Sequence, residues 1–249
     1  MLNILITNDD GVGSKGIEAL ARVLSEKHNV YIVAPNKQMS CMSHAIKFLS
    51  GVKYKQIKKA KYNTYACVGT PVDCVMFGLK VIHKDVKFDA VISGINDVLN
   101  LGSDYIYSGT VGAAQEATML KHKGIAVSVN ENENISYEEI ARIILKNLEK
   151  LLSYCDSETT LNINFPSVKA SDLKGIKVCE IARREYDEIF KLLPNGKQIS
   201  VGKPKIKNDV TLNTDEYILF DNYVTVTPIK IISNDLDKIL EMSRTGFEL

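Results

Sequence analysis

The sequence predicts an α/β protein: a doubly wound, mostly parallel core followed by a C-terminal extension of different character. Three observations carry this. Residues 2–7 read as a buried strand and 30–34 as a continuous apolar run, with an amphipathic stretch between them, the pattern of parallel strands buried on both faces. Parallel-strand character returns at 88–92 and 125–129, again interleaved with helix-like segments. After about residue 160 that alternation stops, and strand-like runs are separated by polar stretches.

The elements follow in order. The first strand ends in a turn, Asn8-Asp9-Asp10-Gly11. From about Ser14 a helix is predicted, because Ile17, Leu20, Ala21 and Leu24 fall at i, i+3, i+4 and i+7. The second strand stops at Pro35, so the first 35 residues read as a strand–helix–strand crossover. Alternation at 45–49, 52–57 and 64–68 predicts short strands forming an antiparallel excursion. Pro71 suits the first turn of a helix that places Val72, Val75, Met76 and Leu79 on one side. A glycine-rich loop is expected from 93 to 109, then a helix through Leu120. Ser136 caps the next helix with Glu139 at the capping-box position, and Ile140, Ile143, Ile144 and Leu148 face inward. Further strands are expected at 161–165, 176–181 and 223–228, a hairpin or arm over 184–215, and a short closing helix near 235–243. No internal repeat or low-complexity linker interrupts the chain, so 1–249 is read as one domain, with 1–160 as core and 161–249 as extension.

Composition excludes several classes. Hydrophobic residues make up 45% and charged residues 24%, an ordinary globular balance that needs no metal staple. With 31 basic against 30 acidic residues there is no basic excess of the kind a nucleic-acid binder shows. The local basic stretch 53–61 reads as a solvated strand edge. The five cysteines are scattered and form no C-x-x-C pair, which argues against a disulfide framework or a zinc knuckle. No apolar run approaches membrane-spanning length and no leader pattern precedes the first strand, so a soluble cytoplasmic protein is expected.

Four segments can carry chemistry. Asp9 and Asp10 lie at the carboxyl end of the first strand, where open parallel sheets bind ligands. Adjacent carboxylates repel, so keeping both ionised favours a cation, and their hard oxygens suit Mg²⁺ or Mn²⁺. The plainer reading is an Asx turn that caps a helix. Ser93-Gly94-Ile95-Asn96 ends another apolar strand in the same way, so Asn96 approaches the first loop if the two strands are neighbours; otherwise it is a strand-exit turn. Tyr107-Ser108-Gly109-Thr110 and the small residues Val111-Gly112-Ala113-Ala114 lead into a helix whose N-terminal amides suit a phosphate, with hydroxyls from Ser108 and Thr110. Tight helix packing explains the same small residues. Ser40 can offer a hydroxyl to a metal and His44 a proton, although an unremarkable loop accounts for both. There is no Walker sequence, and neither Cys41 nor Cys74 has a base partner in the sequence.

Read together, Asn8-Asp9-Asp10-Gly11, Ala34-Pro35, Gly69-Thr70-Pro71-Val72-Asp73-Cys74-Val75, Ser93-Gly94-Ile95-Asn96 and the run from Asn100-Leu101-Gly102 to Glu116 form an ordered set. Asn162-Ile163-Asn164-Phe165-Pro166 and Thr225-Val226-Thr227-Pro228 extend it over almost the whole chain. The set resembles the survival-protein-E (SurE) family of metal-dependent nucleotidases. The resemblance implies a Rossmann-like core with C-terminal arms exchanged between subunits of a homodimer or homotetramer. It implies hydrolysis of nucleoside 5′-monophosphates, often 3′-monophosphates, and in some members short polyphosphate. By resemblance one divalent ion per subunit, Mg²⁺ or Mn²⁺ with Co²⁺ as a further option, is held by Asp9, Asp10, Ser40 and Asn96, and phosphate by Asn96, Ser108, Gly109 and Thr110. Asp9 and Asp10 are the catalytic pair, with the role of Asp9 as base or ligand left open. The chain departs from the family twice: Cys41 replaces a usual glycine after Ser40, and Asp97-Val98-Leu99 replaces a segment that usually holds one.

Two rivals differ in class. A nucleotide-sugar transferase also uses close acids at a strand end, but the irregular last third is a poor acceptor domain. A non-catalytic nucleotide or metal sensor would keep the fold without turnover. A covalent aspartyl-phosphate fits less well, since the phosphatases that form one use Asp-x-Asp and these acids are adjacent.

Overall fold

The computed structural model describes residues 1–47, 50–58, 60–130, 134–193, 198–205 and 213–245. The crossover expected at the start forms as β1 (Asn3–Thr7), α1 (Lys15–Leu24) and β2 (Asn29–Pro35), with Ile4 beside Val30 in parallel register. β3 (Tyr54–Gln56) and β4 (Asn63–Cys67) follow; β4 is parallel to β2, and β3 lies antiparallel on the outer edge. α2 (Pro71–Phe77) runs into a wide turn of π-helix, Gly78–Ile82. Then come β5 (Ala90–Asn96), a 3₁₀ helix (Gly102–Tyr107), α3 (Gly109–Met119), β6 (Lys123–Val129), α4 (Tyr137–Ser153) and β7 (Thr159–Phe165).

The remaining elements are β8 (Gly175–Val178), β9 (Tyr186–Leu192), β10 (Gln198–Pro204), α5 (Asp215–Phe220), β11 (Tyr223–Lys230) and α6 (Leu236–Thr245). Nine strands form one sheet in the order β3-β4-β2-β1-β5-β6-β7-β11-β8, parallel from β4 through β7. β11 runs antiparallel to β7, and β8 parallel to β11, so the segment after residue 160 shares the layer of the core. β9 and β10 pair antiparallel as a separate ribbon.

Alternation along β1 shows why Ile4, Leu5 and Ile6 are apolar in succession. Ile4 and Ile6 pack with Ile17, Leu20, Leu24 and Ile140 on the α1/α4 face, whereas Leu5 packs with Val75, Val91, Ala113 and Ala117 on the α2/α3 face. Full burial of each large aliphatic side chain contributes about 1.5–3 kcal/mol. The cap of α4 forms as expected: Ser136 Oγ accepts from Glu139 N–H at 3.2 Å, and Ser136 N–H donates to Glu139 Oε2 at 2.8 Å.

Three local expectations change. Residues 45–47 form no strand; they are tied to the start of α2, where Thr70 Oγ1 donates to Ala45 O at 2.7 Å and Lys47 N–H to Asp73 Oδ1 at 2.9 Å. Residues 48–49 lie outside the described residues. β5 extends through Ser93-Gly94-Ile95-Asn96, because the sheet continues beside β6 after a register shift between Ser93 and Asn96. α5 lies in a stretch expected to hold no regular helix; its Asp215 and Glu216 suit the positive end of a helix, and Ile218 and Leu219 are buried. The arm expected over 184–215 forms its ribbon from β9 and β10, and its residues 194–197 and 206–212 lie outside the described residues.

Candidate active site

The strand order reverses at β1: the chain moves one way to β2 and the other way to β5. A crevice opens beyond the carboxyl ends of strands at such a switch point. Thr7 is beside Ser93 in register, so the segments that leave β1 and end β5, carrying Asp9 and Asn96, emerge side by side.

Local chemistry fixes the first loop. Asn8 is fully buried and closes an Asx turn, accepting from Gly11 N–H at 3.2 Å and donating to Gly11 O at 3.0 Å. Asn8 Nδ2 also donates to Ser14 Oγ at 2.7 Å, which joins the turn to the N-cap of α1. The plainer reading of this loop, a turn plus a cap, is therefore realised by Asn8 and Ser14, which leaves the two aspartates to be explained.

Asp9 is 4% exposed and meets the start of α3. Thr110 Oγ1 donates to its Oδ1 at 2.5 Å, and Thr110 N–H to its Oδ2 at 3.3 Å. Burial pushes the Asp9 carboxyl above its ordinary value; the Thr110 hydrogen bonds pull it back, and the charge of Asp97 adds to the rise. A Cβ at Gly109 would stand 3.2 Å from Asp9 Cβ and Oδ2, so glycine lets the helix end close directly on the carboxylate. Ser108 Oγ accepts from Val111 N–H at 3.1 Å as the N-cap, and its own proton remains to be donated. Asp10 is half-buried.

The loop after β2 is stitched across this crevice. Met39 N–H donates to Asp9 O at 2.6 Å, which places Ser40, exposed, next to the first loop. Ser43 N–H donates to Tyr107 O at 3.0 Å. Cys41 has a left-handed backbone, φ 60°. Asn96 is buried; its Nδ2 donates to Val98 O at 2.5 Å, which leaves Oδ1 as the oxygen it can offer a cation.

The structure thus joins Asp9, Gly109 and Thr110 by contact, Ser40 through its neighbour Met39, and Asn96 through strand pairing. His44 turns elsewhere: its Nε2 lies 2.7 Å from Oε2 of Glu116, a buried carboxylate on α3. Among the described residues no group of three or more His, Cys, Asp and Glu could hold a metal. A cation here would have to draw on two carboxylates with neutral oxygens from Ser40 and Asn96, the donor chemistry of a hard divalent ion. Of the cysteines, only Cys41 is exposed; burial raises the Cys74 thiol well above its ordinary value and the Cys155 thiol to about 12, so both stay unreactive.

Sequence reasoning misses a buried polar network behind the site. Asn100 N–H donates to Asn164 Oδ1 at 2.8 Å, Asn100 Nδ2 to Ser128 Oγ at 2.7 Å, and Asn162 Nδ2 to Asn100 O at 2.7 Å. The available signal is the pair of asparagines in the otherwise apolar strand Asn162-Ile163-Asn164-Phe165.

Comparisons with known proteins show which family the chain falls in. The 5′-nucleotidase SurE of Petrotoga mobilis is 39% identical over 247 residues, covering 97% of this chain and 98% of that protein. The 5′-nucleotidase SurE of Clostridium botulinum is 40% identical over 235 residues, 92% of each chain. The crystal structure of the SurE protein from Aquifex aeolicus superposes with a TM-score of 0.85 at 34% identity, over 98% of this chain and 99% of that one. The profile of the family described as survival protein SurE matches residues 4–188, and the chain belongs to that family.

Proposed function

We infer that the chain is a metal-dependent phosphatase that hydrolyses nucleoside monophosphates to nucleoside and phosphate. The observation that carries this is the meeting of Asp9, paired with Asp10 at the β1/β5 switch point, with the N-terminus of α3. One site thereby offers carboxylates for a cation and helix amides for an anion. The full-length relatives named 5′-nucleotidase support the same reading.

Asp9, Asp10, Ser40 and Asn96 would hold one divalent ion per subunit, Mg²⁺ or Mn²⁺, with Co²⁺ compatible with the same oxygens. When bound, such an ion supplies Lewis-acid polarisation of the phosphoryl group and lowers the pKa of water. The chain's own groups do the rest. Thr110 holds Asp9 in one orientation through both carboxylate oxygens, which favours a ligand role for Asp9 over a mobile base. Ser108, through its hydroxyl proton, and the Gly109 amide would bind the phosphate together with Asn96 and stabilise charge on its oxygens, while Thr110, whose hydroxyl and amide both face Asp9, would back them at the same helix end. The substrates are 5′-monophosphates foremost, with 3′-monophosphates and short polyphosphate as further candidates.

The unit in solution is a homodimer or homotetramer in which the β9/β10 arm reaches a neighbouring subunit. In support, β9 and β10 pair only with each other among the described strands. A cytoplasmic location is consistent with the finding that, among the described residues, no helix is long and apolar enough to cross a membrane. The nucleotide-sugar transferase and the sensor gain no support from the relatives.

The test is phosphate release from 5′- and 3′-nucleotides and short polyphosphate with Mg²⁺, Mn²⁺ or EDTA, beside Asp9→Asn. Metal-dependent release that collapses in the variant is expected. Folded, metal-loaded protein that releases nothing from any substrate would refute the phosphatase.

A further inference from the structure

Asp215 is a carboxylate that the proposed chemistry does not use, yet it is 1% exposed. Burying a charged group is costly unless it is fully hydrogen-bonded. It accepts three backbone amides from three segments: Gly102 N–H at 2.7 Å on Oδ2, and Ala182 N–H at 3.0 Å with Glu216 N–H at 2.8 Å on Oδ1. The segment carrying Ala182 presses directly on Gly102, where a Cβ would lie 2.6 Å from Ala182 O and the backbone is left-handed, φ 50°. Ser103 N–H donates to Ala182 O at 2.8 Å, and Arg184 N–H to Ser103 Oγ at 3.1 Å.

A layer of charge lies outside this clasp. Arg184 donates through Nη1 to Asp104 Oδ2 at 2.5 Å and through Nε to Glu216 Oε1 at 3.1 Å. The Tyr186 hydroxyl donates to the same Asp104 oxygen. The side chains of Arg184, Asp104 and Glu216 are 13%, 24% and 26% exposed, so this is a partly dehydrated network, stiffer than a surface pair.

What the clasp grips matters. Gly102 opens the 3₁₀ helix Gly102–Tyr107, which ends at Ser108, the N-cap of α3. A 3₁₀ helix rises about 2.0 Å per residue, so the clasp lies roughly 12 Å from the cap along a single stiff segment. The other end of that segment receives Ser43 N–H on Tyr107 O, from the loop that carries Ser40.

We propose that Asp215, assisted by Arg184, is a positioning residue that sets the phosphate-binding end of α3 by clasping Gly102 and Asp104. The inference rests on the assignment of Ser108, Gly109 and Thr110 to the phosphate. The chemistry of the clasp explains why a carboxylate stands there: an asparagine in its place would present an acceptor to one side and an NH₂ to the other, leaving the Gly102 or the Ala182 amide facing a donor.

The experiment uses the full-length protein with Mn²⁺ and compares Asp215→Asn, Arg184→Gln and Arg184→Lys with wild type and Asp9→Asn. It measures kcat and KM for AMP, inorganic phosphate as a competitive inhibitor, Mn²⁺ affinity by calorimetry, and Tm. A displacement on the order of 1 Å at a reacting group costs on the order of 10²-fold. Asp215→Asn is therefore expected to lower kcat by roughly 10- to 100-fold and weaken inhibition by phosphate, with Mn²⁺ affinity within about twofold of wild type. Arg184→Gln should show the same pattern more weakly, and Arg184→Lys should recover part of it. A lower Tm with kcat and phosphate inhibition unchanged from wild type would make the clasp merely structural and overturn the proposal. Should Asp215→Asn fail to fold, wild-type kcat and phosphate inhibition in folded Arg184→Gln overturn it equally. Active clasp variants beside an inactive Asp9→Asn sink the clasp alone, whereas an active Asp9→Asn sinks the site assignment and the clasp with it.

Discussion

Glycine to alanine inside a helix normally stabilises a protein, by roughly 0.5–1 kcal/mol. At Gly16, in the first turn of α1, the structure predicts the opposite sign. An added Cβ would lie 2.0 Å from Ile95 O, 3.0 Å from Ile95 C and 3.2 Å from Ile95 N, all of them backbone atoms of β5. Cβ contacts under 3.0 Å are essentially never seen, so the helix and the strand end must separate by at least 1.0 Å, from 2.0 to 3.0 Å. No side chain can rotate away to absorb this. Overpacking of this kind costs about 1–3 kcal/mol and outweighs the gain in helix propensity. For a chain of this size, Tm should fall by about 2–4 °C per kcal/mol. The separation opens where Ser14 holds Asn8 and where Asn96 follows Ile95, so the loops of Asp9 and Asn96 move apart. Phosphate release from AMP should fall about 10- to 100-fold. Urea or thermal unfolding, run beside the phosphate assay, measures both. A Gly16→Ala protein at least as stable as wild type and fully active would refute the reasoning.

Other consequences can be checked separately. Ser136→Ala removes the α4 cap and should cost about 1 kcal/mol in urea unfolding while leaving kcat unchanged, since the cap's hydrogen bonds run between Ser136 and Glu139 and not to the residues assigned to the site. The Ser136 amide and hydroxyl hold Glu139 below its ordinary 4.5, and Arg142 and Arg22 do the same for Glu138. Both folded-state values lie below the unfolded ones, so this stability is fully present above about pH 4.5 and is lost as the pH falls through the folded values. The urea midpoint difference between wild type and Glu139→Ala should therefore narrow from about pH 7 to about pH 3.5; a constant difference would contradict the assignment. A thiol reagent should modify Cys41 quickly in the folded protein and all five cysteines after denaturation, and a second fast thiol in the native state would contradict the burial of the other four.

The parts of the fold legible in the sequence are those encoded by local periodicity. Ile17, Leu20 and Leu24 announce α1, and Ser136 with Glu139 announces α4, because neighbours within a few residues decide those elements. Asp9 and Asp10 stand out because adjacent acids at a strand end repel each other, although an Asx turn and a helix cap account for the same residues. Ser93-Gly94 reads as a turn because glycine usually breaks a strand; here a Cβ at Gly94 would come within 2.4 Å of Val127 O, so close pairing with β6 demands the glycine that local rules read as a break. The Asp215 clasp is not legible, and the Asn100 network shows only as two asparagines in an apolar strand, without its partner. Their hydrogen bonds join residues 113 and 64 positions apart, and no nearby residue advertises the partner. Long-range polar contacts of that kind are fixed by topology, which a window of neighbours does not contain.

The central place of β1 also bears on how the chain is made. Its first partner, β2, is close at hand: Ile4 meets Val30. Its second, β5, brings Ala90 beside the same Ile4, across 86 residues. At ribosomal speeds of about 5–20 residues per second, those residues take roughly 4–17 s to synthesise. Throughout that interval the nascent β1 carries an unpaired backbone edge flanked by Leu5 and Ile6, side chains that have no exposure in the finished protein. The strand that leads into Asp9 and Asp10 is thus translated before both of its neighbours and waits for the second far longer than for the first. Until β5 leaves the ribosome, pairing with β2 and the packing of α1 on Ile4 and Ile6 are the native contacts open to it.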